Sequence, residues 1–160
     1  KRQPILVIEL SSLIEDPLPS RIPPVGIALE SERTPMAEVA DELGKLTQFY
    51  YRVIYVVTLP VGGDGFQKSA AARDWLKRHR LPTGYVLALP ADTNALGARI
   101  DEFHAAGWKT IKTGVGRSKA FAEAFLQRRL DAILVPEPMK GEVPRKAKVA
   151  KDWKDVRKKL

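Results

Sequence analysis

The feature of the sequence that most constrains the fold is the alternation of short apolar runs with longer amphipathic segments. The apolar runs have the length of strands and are rich in β-branched residues, and they cover 5–10, 52–58, 85–89, 108–115 and 132–135. Strands that alternate with helices join by right-handed crossovers into a parallel sheet, and strands that are apolar throughout are buried on both faces. We therefore predict a three-layer, Rossmann-like α/β fold around a five-stranded, mainly parallel sheet.

Nothing in the 160 residues marks a boundary between domains, which predicts a single domain over 1–160. Segment 17–35 is rich in proline, which fixes φ and lacks an amide hydrogen, so this segment is excluded from central strands and helices. At its end, Thr34 and Pro35 have the residue types of an N-cap and a first helical position. We therefore expect a helix to begin there.

The composition excludes several classes of protein and site. No run approaches the roughly 18 consecutive apolar residues that a membrane span requires. The chain has no cysteine, which excludes disulfides, thiolate catalysis and zinc held by sulfur, and its two histidines are too few for most metal sites. Lack of cysteine also favours an intracellular protein, so we predict a cytoplasmic location.

The chain is basic, with a formal net charge of +8, and much of the excess lies near the carboxyl terminus. We predict a basic C-terminal helix in 145–160, which docks through Trp153, Val156 and Leu160 because their spacing matches one helix face. Its cations are also candidates for contacts with a nucleic acid or a protein partner. These cations are Arg145, Lys146, Lys148, Lys151, Lys154, Arg157 and Lys158.

Two stretches carry a resemblance to a known family. The second apolar run ends in Thr58, and the next helical segment ends in the pattern Trp75-Leu76-x-x-His79-x-Leu81-Pro82. Together with Gly116 and the run 131–135, this resembles the haloacid dehalogenase superfamily. The subgroup it is most similar to is the lipin-type phosphatidate phosphatase domain and its counterpart at the carboxyl end of phosphatidylinositol transfer proteins. The resemblance implies the strand order 5-4-1-2-3 without a cap domain, with 17–35 as a short flap.

The resemblance also implies a chemistry, which requires two aspartates at the end of the first strand. The first strand of this chain ends without that pair. In one alignment with the family, the positions of the two aspartates hold Ile8 and Leu10. In an alignment shifted by one residue, they hold Glu9 and Ser11. Thr58 matches the family's hydroxyl residue at the end of the second strand, and Arg99 is the candidate for the basic residue that steadies the phosphoryl group. We therefore expect degenerate catalytic motifs.

The family's fourth strand ends in acidic residues that help to hold Mg²⁺, but this chain has basic and neutral residues there. Such a site should repel Mg²⁺ and attract an anion, because the cations Arg117 and Lys119 lie beside the free amides of a helix N-terminus. We expect no metal. The candidate anion-binding residues are Ser12, Thr58, Gly116, Arg117, Ser118 and Lys119.

The resemblance and the missing catalytic residues lead to three alternative hypotheses about function. The first is a catalytically inactive, phosphatase-like module that binds a partner and retains binding of phosphate or a phosphorylated ligand, without a cofactor. The first alternative is an Mg²⁺-dependent phosphatase with Glu9 as an atypical nucleophile, together with Asp64 or Asp92. The second alternative is a basic scaffold subunit whose C-terminal segment contacts nucleic acid or an assembly partner.

Overall fold

Six parallel strands form the centre of the computed structural model, which describes residues 3–15, 34–59, 64–90, 92–139 and 141–160. The strands are β1 (Ile5–Glu9), β2 (Arg52–Leu59), β3 (Tyr85–Pro90), β4 (Ile111–Gly116), β5 (Asp131–Leu134) and β6 (Lys148–Val149). The helices are α1 (Val39–Phe49), α2 (Gly65–Arg78), α3 (Thr93–Ala105), α4 (Lys119–Leu126) and α5 (Trp153–Lys159), and a 3₁₀ turn covers Leu10–Leu13.

The sheet has the order β3-β2-β1-β4-β5-β6, and all of its pairings are parallel. The α/β class and the parallel sheet were therefore predicted correctly, but the strand count and the order were not. The prediction placed β5 at the sheet edge, whereas β6 pairs with Ile133 and Leu134 and extends the sheet by one strand. β6 has only two residues, one of them a lysine, so no apolar run in the sequence indicates this strand.

The core lies on both faces of the sheet, and β1 supplies both sides. Its residues alternate, with Leu6 and Ile8 packing in one cluster and Ile5 and Val7 in the other. All of β1 is buried, as expected for a central strand of a parallel sheet. This position brings the last residue of β1, Glu9, to the middle of one sheet edge.

α1 begins at Val39, not at Thr34 and Pro35 as predicted. Pro35 instead pairs with Ile14 in an antiparallel bridge, and the amide of Met36 donates to the carbonyl of Leu13 at 2.7 Å. This pairing holds Pro35 and Met36 beside the segment after β1, a turn through Glu38 in the left-handed region follows, and the helix starts about one turn later than predicted. The rest of the predicted flap, up to residue 33, lies outside the described residues.

The C-terminal helix α5 is shorter than the predicted segment 145–160, because β6 and Ala150 precede it. Trp153 and Val156 are fully buried, and the indole Nε1 of Trp153 donates to the carbonyl of Ser12 at 3.0 Å. α5 is thus docked on the turn that follows β1. None of the helices in the described part of the chain combines the length and the apolar character that crossing a bilayer requires.

An ion pair fastens α5 to α1. The guanidinium Nε of Arg157 lies 2.6 Å from a carboxylate oxygen of Glu42, a buried residue that Lys45 also approaches, at 3.4 Å. The hydrogen bond from Arg157 lowers the pKa of Glu42 and outweighs the opposite effect of burial. Arg157, predicted as a contact for a polyanionic partner, is therefore already engaged within the fold.

Replacing Arg157 with leucine should lower the free energy of unfolding at neutral pH by about 1–2 kcal/mol, because buried Glu42 loses its nearest charged donor. Since Arg157 lowers the pKa of Glu42, this contribution is present above the ordinary carboxyl pKa. It is lost as the pH falls through the lowered pKa of the folded state. Urea denaturation at neutral pH and at about pH 3 measures both effects.

The matched control is Lys158→Leu, which removes an exposed cation from the same helix. We expect it to change the free energy of unfolding by less than about 0.5 kcal/mol at either pH. Equal losses in the two variants, or a loss in Arg157→Leu that persists at low pH, would contradict this role of the ion pair.

Candidate active site

The carboxyl ends of β1 and β4 form the crevice at which a parallel sheet of this kind binds ligands. The chain proceeds from β1 outward through β2 to β3, then returns to the other side of β1 to form β4. At such a reversal the connections leave β1 and β4 in opposite directions, which opens a crevice beyond their carboxyl ends. Glu9 ends β1, and Arg117 and Ser118 follow β4 at this point.

The carboxylate of Glu9 is held by the N-terminus of α4. Its Oε1 accepts hydrogen bonds from the amides of Arg117 at 2.7 Å and Ser118 at 2.9 Å, and its Oε2 accepts one from the Ser118 hydroxyl at 2.9 Å. Glu9 is only 7% exposed, so these bonds offset the cost of removing its charge from water. The positive end of the α4 dipole further stabilises the carboxylate.

Ser118 also caps α4, since its Oγ accepts a hydrogen bond from the amide of Phe121 at 3.2 Å. The same hydroxyl therefore donates to Glu9 and accepts from the first turn of the helix. Ser118, predicted as an anion-binding residue, thus has two partners within the fold.

Gly116 allows the backbone after β4 to approach Glu9. A Cβ atom at this position would lie 2.8 Å from Oε1 of Glu9 and 2.8 Å from Cγ of Phe121, which is closer than real Cβ atoms come. A glycine is required here because the approach leaves no room for a side chain. Gly116, predicted as an anion-binding residue, thus shapes the site by letting the backbone come close to Glu9.

The remaining predicted residues around the β1–β4 crevice take different roles. The guanidinium Nη2 of Arg117 donates to the carbonyl of Ile14 at 2.7 Å, so this side chain binds the segment after β1. Ser12 is buried, and its hydroxyl donates to the carbonyl of Glu9 at 2.7 Å, which closes the 3₁₀ turn. Lys119 is exposed. Ser12 was predicted to bind an anion, but its hydroxyl is committed to the backbone.

A small cleft of about 130 Å³ opens beside Glu9. Its polar lining comes from Glu9, Thr58, Asp92 and Ser118, and apolar residues of β2, β3, α3 and α4 complete it. Thr58 is exposed at the end of β2, and Asp92 caps α3 by accepting from the amide of Asn94 at 2.9 Å. A carboxylate, a hydroxyl and a helix N-terminus therefore converge on one space.

Three other candidates do not share this cleft. Ser11 is half-buried and is not among the residues that line it. Arg99 lies on α3, where it approaches Glu102 at 3.7 Å. Asp64 caps α2 by accepting from the amide of Phe66 at 2.9 Å. Ser11, at the family's acid/base position in one alignment, and Arg99, the candidate basic clamp, both lie outside the lining of this cleft.

The cleft fits a magnesium ion poorly. In the described ranges, no three histidine, aspartate or glutamate side chains stand close enough together to hold a metal. Both oxygens of Glu9 already accept hydrogen bonds, and Asp92 is engaged in capping α3. A hard cation requires several free oxygen ligands, so we derive no step through a metal ion.

Comparisons with known proteins place the fold. No protein-family model and no curated protein matches the sequence. The structure is similar to D,D-heptose 1,7-bisphosphate phosphatase from B. bronchiseptica, solved with magnesium and phosphate, with a TM-score of 0.73 at 14% identity, covering 98% of this chain and 97% of that chain. The corresponding enzyme from Burkholderia thailandensis gives a TM-score of 0.64 at 14% identity, covering 98% of this chain and 97% of that one. An uncharacterised protein from Listeria monocytogenes serotype 4b gives 0.68 at 12% identity, covering 98% and 96%.

The chain has a haloacid dehalogenase-like fold. The fold that the resemblance implied is thus confirmed. Our first functional hypothesis, an inactive pseudophosphatase, was wrong. The finding that contradicts it is that two of these neighbours are phosphatases that share the fold along nearly the whole chain.

Replacing Ser118 with alanine tests its double role. The change should lower the free energy of unfolding by about 2–3 kcal/mol, because it removes both the cap of α4 and a donor to the buried carboxylate. Asp64→Ala, which removes only a cap from α2, should cost about 1 kcal/mol. Urea denaturation measures both, and equal costs would show that the bond from Ser118 to Glu9 contributes nothing to stability.

Proposed function

We propose that the chain is a phosphatase that hydrolyses phosphate monoesters in the cleft beside Glu9. The observation that carries this proposal is the placement of a buried carboxylate at the carboxyl end of the central strand, in a cleft it shares with Thr58 and the N-terminus of α4. A carboxylate supplies a nucleophile, and the hydroxyl of Thr58 and the positive end of the α4 dipole suit a phosphoryl group.

Glu9 acts as the nucleophile through Oε2. This oxygen has more free lone-pair density than Oε1, because it accepts one hydrogen bond and Oε1 accepts two. Oε2 forms a bond to phosphorus while the ester P–O bond breaks, and the leaving oxygen takes the electron pair and a proton from a water molecule. The hydroxide that remains attacks the phosphorus of the acyl phosphate, which breaks the bond to Oε2, releases hydrogen phosphate and restores the Glu9 carboxylate. One water is consumed overall, and atoms and charge balance without a co-reactant.

The donors of the site stabilise the charge that develops on the phosphoryl oxygens. The hydroxyl of Thr58 lies in the cleft, and Lys119 is exposed in the first turn of α4. The three hydrogen bonds to Glu9 fix the orientation of a side chain that is one methylene longer than aspartate. Fixed donors around the reacting atoms are the main source of rate enhancement in phosphoryl transfer.

Several finer predictions belong to this proposal. The closeness to the lipin-type subgroup is supported by the sequence pattern from Trp75 to Pro82, in which Trp75 is buried and its ring lies 4.8 Å from that of His79. The single domain over 1–160, the absence of a cap domain and the cytoplasmic location also remain predictions. So does the polyanion-binding role of the C-terminal cations.

Hydrolysis of an aryl phosphate tests the function directly. We expect turnover by the natural protein and a loss of kcat/KM of at least about a hundredfold in Glu9→Gln, which keeps the size of the side chain and removes the nucleophile. The assay is run once with Mg²⁺ and once with EDTA, so that the contribution of the Glu9 carboxylate is measured both with and without a divalent ion.

The control is Glu142→Gln, a change of the same kind at an exposed carboxylate outside the cleft. It should leave kcat/KM unchanged and, when purified in the same way, reveals any contaminating phosphatase. Failure of the folded natural protein to turn over the substrate in either buffer, or full activity in Glu9→Gln, would refute the proposal.

A further inference from the structure

The edge of the sheet opposite Glu9 carries a second surface. Because all six strands are parallel, their amino ends meet at this edge. Three hollows of about 540, 300 and 450 Å³ lie along it. The first and second share Ile5 and Tyr51, and the second and third share Lys112 and Asp131. The three hollows are therefore adjacent along this edge, and we call them together the amino-edge groove.

The amino-edge groove is strongly basic. One acidic residue, Asp131, faces six cations in the described lining. Lys109, Lys112 and Arg129 are exposed, and no ion pair joins them to the residues that the structure describes. The cations are Arg52, Lys109, Lys112, Arg129, Lys148 and Lys159.

Aromatic side chains interleave with these cations. Tyr85 and Tyr50 are 64% and 60% exposed, although large aromatic rings are usually covered in a folded chain. The rings of Tyr85 and Trp108 lie 6.3 Å apart in an edge contact, and those of Tyr50 and Tyr51 lie 5.1 Å apart. The groove thus presents ring faces beside positive charges.

We propose that the amino-edge groove binds single-stranded nucleic acid. Proteins bind such strands by combining a positive groove for the phosphates with aromatic rings on which the bases stack. Six strands at a spacing of about 4.8 Å make the groove roughly 24 Å long, which accommodates a few nucleotides. An acidic protein surface would satisfy the cations but would leave the exposed rings without a specific role.

The amino-edge groove shares Lys148 and Lys159 with the C-terminal segment that the sequence suggested for polyanion contacts, but most of that segment's cations lie outside it. Lys151, Lys154 and Lys158 are exposed but do not line any of the three hollows. They provide a matched control, because the same charge change can be made on either surface. The amino-edge groove is also remote from Glu9 along the strands, so its function is separable from the phosphatase activity.

Fluorescence anisotropy of the full chain with a labelled deoxythymidine oligomer of about 15 nucleotides tests the proposal. We expect binding at about 50 mM salt that weakens steeply towards about 200 mM. The pair of changes Lys112→Glu and Arg129→Glu should lower the affinity about tenfold or more. Lys151→Glu with Lys154→Glu, which changes the net charge equally, should have little effect.

Substitutions of Tyr85 test whether base stacking contributes to the affinity in addition to charge. Tyr85→Leu keeps an apolar side chain and should lower the affinity about fivefold or more, whereas Tyr85→Phe keeps the ring and should bind as well as the natural protein. All groove variants should retain the urea denaturation midpoint of the natural chain, which shows that they are folded. If the double charge reversal lowers that midpoint, Arg52→Gln, which removes one charge from the same groove without reversing it, should still lower the affinity in a folded protein.

Three results would overturn the proposal. The first is no binding of the oligomer by the folded protein at about 50 mM salt. The second is an equal loss of affinity from the charge changes in the groove and in the C-terminal segment, which would indicate non-specific attraction. The third is an unchanged affinity in Tyr85→Leu together with equally tight binding of polyglutamate, which would indicate an acidic protein partner.

Discussion

The hydrogen bonds between the carboxylate of Glu9 and the start of α4 join the two halves of the sheet at its functional edge. They connect residues 108 and 109 positions apart in the chain, across the crevice where β1 and β4 meet. The carboxylate is buried, so losing these donors would leave a charge without water or partners. The glycine at position 116, the cap at Ser118 and the phosphatase proposal all depend on this contact.

The parallel sheet gives its two edges different chemistry. At the carboxyl edge, strand ends and helix N-termini bring together a carboxylate, hydroxyls and amides around a small cleft. At the amino edge, strand starts contribute Arg52, Tyr85, Asp131 and Lys148, and the segments before them contribute further aromatic and basic residues. Helix C-termini also lie towards this edge and favour cations there. One architecture thus supports two separable sites.

Much of the fold could be predicted from local patterns. The apolar runs identified five strands, because central strands of a parallel sheet are buried on both faces and read as continuous apolar segments. Asp92 and Ser118 have the residue types that commonly cap helices, and each caps one here. The start of α1 and the strand β6 could not be predicted, because both depend on pairing with distant residues, Ile14 and Leu134, and not on their own composition.

The site was predicted in part for the same reason. The family resemblance pointed to Glu9 and Thr58, and the expected helix N-terminus pointed to Ser118. It could not show that Ser12 is committed to the turn after β1, or that Arg157 pairs with Glu42, since these contacts depend on how the elements pack. The amino-edge groove was missed because its residues come from six strand starts that only the sheet order brings together.

A crystal structure of the chain with tungstate, a heavy analogue of phosphate, tests the central claim most directly. The account predicts the anion in the cleft beside Glu9, within hydrogen-bonding distance of the hydroxyl of Thr58, with the Glu9 carboxylate directed at the metal atom of the tungstate. Tungstate bound only among the cations of the amino-edge groove, with Glu9 unchanged in a vacant cleft, would contradict the claim that Glu9 acts on phosphate esters.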